Sequence, residues 1–213
     1  MAPEPVNQQR TYEAIRHALF AGKYPVGVRI DLKTLAEGRG ISLTPVREAI
    51  MRLVGERLFE QHPSGGFRVA VPDSDRLAQL YDWNLHHLLA VLGLVSSEAL
   101  DSAFARLRGR TIGRSAAELA VHTAMIFRMI GSTVANPLFI EQIDMASDRL
   151  HYARIAESRS GIDVARELNA LVEIVGVDVK ARVRRRILAF HRRRIARASR
   201  IAATILSMGN GQE

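Results

Sequence analysis

Ser42, Thr44 and Arg47 stand close together at the predicted start of a helix running from about Leu43 to Arg57. A helix start presents unpaired backbone N–H groups and the positive end of the peptide dipoles, so it attracts phosphate. Ser42 and Thr44 add short hydroxyls at that end. Arg47, one turn in, carries a planar fork suited to guanine or phosphate. Two plainer readings stand beside this one: Thr44 as a helix cap only, and Arg47 as an ion-pair partner of Glu48 or of a neighbouring domain. A second group lies further along. Glu118 and His122 are spaced i, i+4 and project from one face of a predicted helix. His191 stands four after Ile187 and four before Ile195, which turns it inward. Imidazoles so placed either line a bundle core or offer nitrogen to a bound molecule.

Much other chemistry is excluded. The 213 residues include no cysteine, which removes disulfides, thiolate metal sites and cysteine nucleophiles. No phosphate-binding loop, dinucleotide Gly-rich turn, nucleophile elbow or HExxH is present. The start, MAPEPVNQQR, does not read as a signal peptide, and the apolar stretch Leu85 to Val95 is too short to span a bilayer. These features, with the lack of cysteine, lead us to expect a cytoplasmic protein with no membrane partner. The net charge of +8 favours an anionic partner. Residues 1–75 carry only +1, however, and residues 76–213 carry +7. Charge alone therefore points away from Ser42, Thr44 and Arg47.

The elements that must position these residues follow from periodicity and punctuation. Residues 1–9 read as a loose tail. A helix is predicted over 11–21, with Tyr12, Ile15, Ala18 and Leu19 on one side and Gly22 just past its end. After a turn at 24–27 and an extended piece at 29–31, a short helix covers 32–38, and Gly38-Arg39-Gly40 ends it. The helix from Leu43 follows, with Pro45 in its first turn and Val46, Ala49, Ile50 and Leu53 facing inward. Residues 58–62 and 67–71 then flank the turn Pro63-Ser64-Gly65-Gly66 as a hairpin. That order is a winged helix-turn-helix. Beyond Asp75 only helical periodicity appears, over about 76–92, 96–108, 116–133, 138–157, 163–175 and 179–208. The expected fold is thus mainly α: a winged helix-turn-helix domain at 1–75, then an all-helical bundle of about six helices at 76–213.

The run from Tyr12 through Val71 resembles the DNA-binding domain of GntR-type regulators. The resemblance rests on "YEAIRHALFAGKYPVGVRI", "LKTLAEGRGISLTPVREAIMRLVGERLFE" and "GGFRVA". It implies DNA contact through Ser42, Thr44 and Arg47. Lys33 stands where many relatives place a contacting arginine; it can neutralise phosphate but lacks the fork. Leu43 stands where relatives often have arginine, which removes one base contact. Gly65 and Gly66 let the wing approach the DNA backbone, with turn geometry as the plainer reading, and Arg68 supports the wing electrostatically.

The second half resembles, more faintly, the helical effector domain of the FadR-like branch, often called FCD. The stretches are "ELAVHTAMI…ANPL", "DRLHYARI" and "ELNALVEIVGVDVKARVRRRILAFH". Such domains often hold a divalent metal through one Asp and three His, with a small carboxylate effector in the shell. Here the resemblance places Glu118, His122 and His191 in that set and Leu168 at the remaining histidine position. It leaves a reduced candidate site for zinc or a similar ion. The same residues could bond an effector directly, together with Asn84, which stands where relatives often show an arginine. The implied protein is a homodimeric transcription regulator that binds an operator in double-stranded DNA and responds to a small molecule such as an organic acid. The rivals are a DNA-binding or protein-interaction module with no effector, and a metal-dependent enzyme. The arginine-rich last helix reads either as a solvated face or as a phosphate-binding surface.

Overall fold

The computed structural model describes residues 4–109 and 113–209. They group into two compact units: one holds the residues up to Val71 with those from Ile205 on, and the other spans Pro72–Thr204.

The first unit contains α1 (Glu4–Phe20), α2 (Leu32–Glu37), α3 (Leu43–Gly55), β1 (Phe59–Gln61) and β2 (Phe67–Val69). Helix α1 starts well before the expected Thr11, so residues 4–9 are helical and not a loose tail. Proline is tolerated in a first helical turn, where its missing N–H has no partner to lose, and Pro5 falls there. Gln9 is then held from both sides, donating to Glu13 at 2.7 Å and accepting from Arg52 at 3.0 Å. Arg52 also covers the ring of Tyr12, with its guanidinium carbon 3.7 Å from the ring centre. The Tyr12 hydroxyl donates to Glu56 at 2.9 Å. These contacts lock α1 across α3, over a core of Ile15, Leu19, Val46, Ile50 and Leu53.

Asp31 caps α2, accepting from the N–H groups of Lys33 and Thr34. Those bonds, the Thr34 one first, hold its carboxyl below the usual range. Gly40 turns the chain into α3 with φ of +64°, a conformation costly for residues with a Cβ. The wing is an antiparallel hairpin in which Phe59, Glu60 and Gln61 face Val69, Arg68 and Phe67. Ile30 adds a bridge, exchanging both backbone bonds with Phe67.

The second unit is helical among its described residues. It comprises α4 (Ser74–Leu94), α5 (Ser97–Ala105), α6 (Ala116–Gly131), α7 (Pro137–Arg149), α8 (His151–Arg159), α9 (Val164–Val172), α10 (Val179–Ile195) and the start of α11 (Ala198–Gly209). The expected helices over 138–157 and 179–208 are each divided. Leu150, fully buried with ψ of 0°, separates α7 from α8. At the second break Arg197 bonds back only three residues, to the Arg194 carbonyl. Neither break contains Gly or Pro, so only packing imposes them. No single helix among the described residues is long and apolar enough to cross a membrane.

Leu53 is fully buried beneath the outward face of α3. Leu53→Ala should cost about 2–5 kcal/mol through lost burial and the cavity left behind. Urea denaturation measures this, and a loss below about 1 kcal/mol would contradict the packing described.

Candidate functional site

In the second unit, α4, α8, α9 and α10 meet around a buried ionic cluster. Arg194 is fully buried and donates to Glu157 at 2.7 Å and to the Phe190 carbonyl at 2.9 Å. It also pairs with Glu167 at 2.7 Å, and Arg193 reaches Glu167 at 2.9 Å. The other Glu157 oxygen accepts from the Tyr81 hydroxyl at 2.7 Å. Burial opposes the charge on Arg194, but Glu157 and Glu167 more than offset this, and its pKa is raised. Burial, then the Glu157 carboxylate, pushes the Tyr81 hydroxyl well above its usual range. Sequence reading missed this cluster. Arg194 belongs to an arginine run whose other members are mostly exposed.

The structure does not gather Glu118, His122 and His191 into a metal site. Glu118 is exposed in the first turn of α6. There it forms a capping box with Ser115, and those bonds lower its pKa. His122 is half-buried, and its Nδ1 accepts from the Gly113 N–H at 3.2 Å. His191 is fully buried, with Nδ1 2.8 Å from the Ile187 carbonyl and Nε2 2.9 Å from the Asn84 side-chain amide. Both its nitrogens are therefore engaged. No group of three His, Asp or Glu among the described residues could hold a metal ion. Capping and burial take the three side chains of the expected reduced set to different uses. Burial first, with Arg194 and Arg154 adding repulsion, lowers the His191 pKa to about 3. The ring is thus neutral at ordinary pH. A neutral ring that donates to the Ile187 carbonyl through Nδ1 must accept at Nε2, which requires the Asn84 NH₂ to face it.

The first unit offers a different surface. Ser42 occupies the N-cap position of α3, with extended backbone and no side-chain bond to the helix. Its hydroxyl is exposed, as are Leu43, Thr44, Arg47 and Met51. Thr44 lies inside the first turn and is not the cap. Arg47 forms no ion pair with Glu48 among the described residues. Leu43, Arg47 and Met51 follow one another at four-residue steps along the outward face, opposite the buried Val46, Ala49, Ile50 and Leu53. Lys33 is exposed on the first turn of α2.

A cleft of about 480 Å³ beside the start of α3 is lined by Arg10, Thr11, Ala14, Arg39, Gly40, Ile41, Ser42 and Pro45. Arg10 and Arg39 had no signal in the sequence, because only the packing of α1 on α3 brings them beside Ser42. In the wing, Gly65 and Gly66 both take positive φ, at +85° and +78°. A Cβ on Gly66 would lie 2.8 Å from the Ile30 carbonyl oxygen, so the turn itself demands glycine there. Arg68 is committed to Glu60 across the hairpin at 2.7 Å, which offsets its charge.

Residues 7–69 match the model of the family described as bacterial regulatory proteins, gntR family. Over 55 residues the chain is 42% identical to the HTH-type transcriptional regulator McbR of Escherichia coli (strain K12). That match spans 26% of this chain and 25% of McbR. Two solved structures share the fold over nearly the whole chain. One is described as a candidate transcriptional regulator GntR from Rhodococcus sp. RHA1, with TM-score 0.69, 16% identity, and coverage of 90% of this chain and 96% of that one. The other is E. coli McbR/YncC, with TM-score 0.62, 19% identity, and coverage of 91% and 97%.

The neutral His191 gives a signed pH dependence. The unfolded chain binds its proton near pH 6.5 and the folded chain only near 3. The stability that His191 contributes is complete above 6.5 and falls as the pH drops from there towards 3, with a slope of up to about 1.4 kcal/mol per unit. His191→Gln should flatten this slope in urea denaturation measured from pH 7 to 4. Identical slopes for the two proteins would contradict the neutral, buried ring.

Proposed function

We propose that this chain is a transcription regulator that binds an operator in double-stranded DNA through residues 1–75. Residues 76–213 would bind a small-molecule effector and pair two chains. The observation that carries the reading is the outward start of α3, where Ser42, Thr44 and Arg47 are exposed together over a rigid core. A helix presented in this way enters the major groove with its first turns on the base edges. Ser42 and the first-turn N–H groups hold a phosphate, and Arg10 and Arg39 add positive charge beside them. Thr44 and Arg47 read the adjacent bases. Lys33 neutralises a second phosphate, and the wing at Gly65 and Gly66 follows the backbone. Arg68 serves chiefly to hold the hairpin, through Glu60.

The helical unit is proposed to be an effector domain of the FCD type from the FadR-like branch. The fold shared with the Rhodococcus and McbR structures supports this, as do the "ELAVHTAMI" and "DRLHYARI" stretches. Two chains pairing through this unit would present two reading helices to successive half-sites, since one winged helix covers too little DNA for useful specificity. Such a protein acts in the cytoplasm and works by binding, with no turnover.

Arg47→Ala tests the reading directly. It should weaken binding to a tightly bound genomic fragment by about 10–100-fold, the worth of one forked base contact, with no change in melting temperature. Unchanged affinity in a fluorescence anisotropy titration would remove Arg47 from the interface and, with it, the proposed reading edge.

A further inference from the structure

The arginines of α10 fall into two groups. Arg194 is buried in the ionic cluster, Arg193 pairs with Glu167, and Arg182 donates to the Val175 carbonyl at 2.8 Å. Arg184, Arg185, Arg186 and Arg192 are exposed, and none of them has a hydrogen bond or ion pair among the described residues. One solvated arginine needs no explanation. Four on a helix that contains no acid are different. Arg182, Arg185 and Arg186 stand three and four residues apart, where like charges destabilise a helix. Glu167 on the packed helix α9 is already taken, and Asp178 lies about two turns before Arg185. The fold thus gains nothing from these charges.

Their spacing is regular. Side chains seven residues apart return to the same face after two turns. Arg185 and Arg192 form one such row, and Arg186 and Arg193 form another beside it. Ala189 and Ala196, both exposed, lie between the rows, so the floor between the guanidinium arms is low. A row spans roughly 10 Å of the helix axis at 1.5 Å per residue. Duplex DNA carries one phosphate per about 3.4 Å of axis on each strand, so this length faces about three phosphates.

The face also lacks what other partners need. None of the exposed large hydrophobic side chains among the described residues is on α10. A protein interface keeps charge at its rim and an apolar or aromatic centre. A membrane surface takes apolar side chains in among its lipids. Two chains meeting here on a two-fold axis would set arginine against arginine. A phosphate backbone asks only for cations with forked donors.

We infer that the face of α10 carrying Arg185, Arg186 and Arg192 is a second DNA contact, which holds the phosphate backbone of a duplex without reading its sequence. The inference rests on the DNA-binding reading for its ligand and is independent of the α3 reading edge. The backbone comes either from the duplex already held by the winged unit or from a second duplex. In both cases the contact adds affinity and salt dependence but no specificity.

The test uses the full chain and a random-sequence duplex of about 30 base pairs, three helical turns. Anisotropy titrations give the affinity over a range of salt concentrations. Replacing Arg185, Arg186 and Arg192 together by Gln removes three charges and keeps polar side chains. The slope of log affinity against log salt should become shallower by about 2–3, since each phosphate contact contributes about 0.9. Affinity at low salt should fall by at least about tenfold. The melting temperature should hold or rise, because repulsion is relieved. Replacing the same three residues by Lys should keep the wild-type slope, since lysine also neutralises phosphate. Stoichiometry in DNA excess separates the two sources. Fewer duplexes bound per chain in the Gln variant assign a second duplex, and an unchanged count assigns the one already held.

An unchanged salt slope in the Gln variant would overturn the inference. So would an equal loss of slope in the Lys variant, or a clearly lower melting temperature in the Gln variant, which would give the arginines a structural role. Binding to polyglutamate that the Gln variant loses while its DNA slope stays intact would make the face a dock for an acidic protein instead. Arg47→Ala measured in parallel keeps the two readings apart. A weakened Arg47→Ala beside an unchanged Gln slope defeats only this inference. A changed Gln slope beside an unaffected Arg47→Ala defeats only the α3 reading edge.

Discussion

The buried pair of Arg194 and Glu157 is the contact around which the helical unit is organised. Both side chains are fully buried and lie 2.7 Å apart. Each also holds a further element. Glu157 fixes Tyr81 of α4, and Arg194 fixes Glu167 of α9. Four helices thus meet at one charge cluster. Such a pair contributes little net stability against an apolar substitute, yet losing one partner costs about 3–5 kcal/mol because the other charge is left buried. The cluster also explains why the guanidinium of Arg154, buried on α8, has no hydrogen-bond partner among the described residues. By taking both oxygens of Glu157, Arg194 and Tyr81 leave the neighbouring guanidinium with no bonded acid. One satisfied ion pair and one unsatisfied cation, both on α8's surroundings, are two sides of the same arrangement.

The first unit works on the opposite principle. Its ionic groups lie at the rim, in the Tyr12, Arg52 and Glu56 contacts and the Arg68–Glu60 pair, while its centre is apolar. The apolar centre fixes the angle of α3, and the rim contacts fix α1 and the wing against it. The polar groups on the outward face of α3 are therefore not needed to hold the fold. Ser42 makes no capping bond and Arg47 no ion pair with Glu48, so both are available to a ligand. A recognition surface built in this way can change its residues without changing its scaffold. Leu43 and Met51 are exposed apolar side chains on the same face, and under the proposed reading they would suit thymine methyl groups better than guanine.

Much of the first unit was legible because each boundary carries a local cause. Asp31 caps α2, Gly40 takes the left-handed turn, Pro45 sits in the first turn of α3, and Gly65 and Gly66 make the wing turn. The second unit was legible as helices but not as a site. The breaks at Leu150 and before Ala198 have no Gly or Pro, since packing alone makes them. Within the arginine run of α10, Val183, Ile187 and Phe190 are buried at helical spacing. The same period carries on to Arg194, which is buried although charged, while Ile195 is only half-buried. Nothing in the spacing announces that Glu157, thirty-seven residues away, receives it. Glu118, His122 and His191 drew attention because their residue types suit metals. In the fold they serve as a capping box, a loop anchor and a neutral core imidazole.

The central claim is sequence-specific DNA recognition by the outward face of α3. It is tested most directly by selecting genomic fragments on the purified protein and comparing the affinity of the best fragment with that of random duplex at matched salt. The account predicts a ratio of at least about 10³, which is usual for specific regulators. A ratio near one would contradict it and reduce the winged unit to a general DNA-binding module.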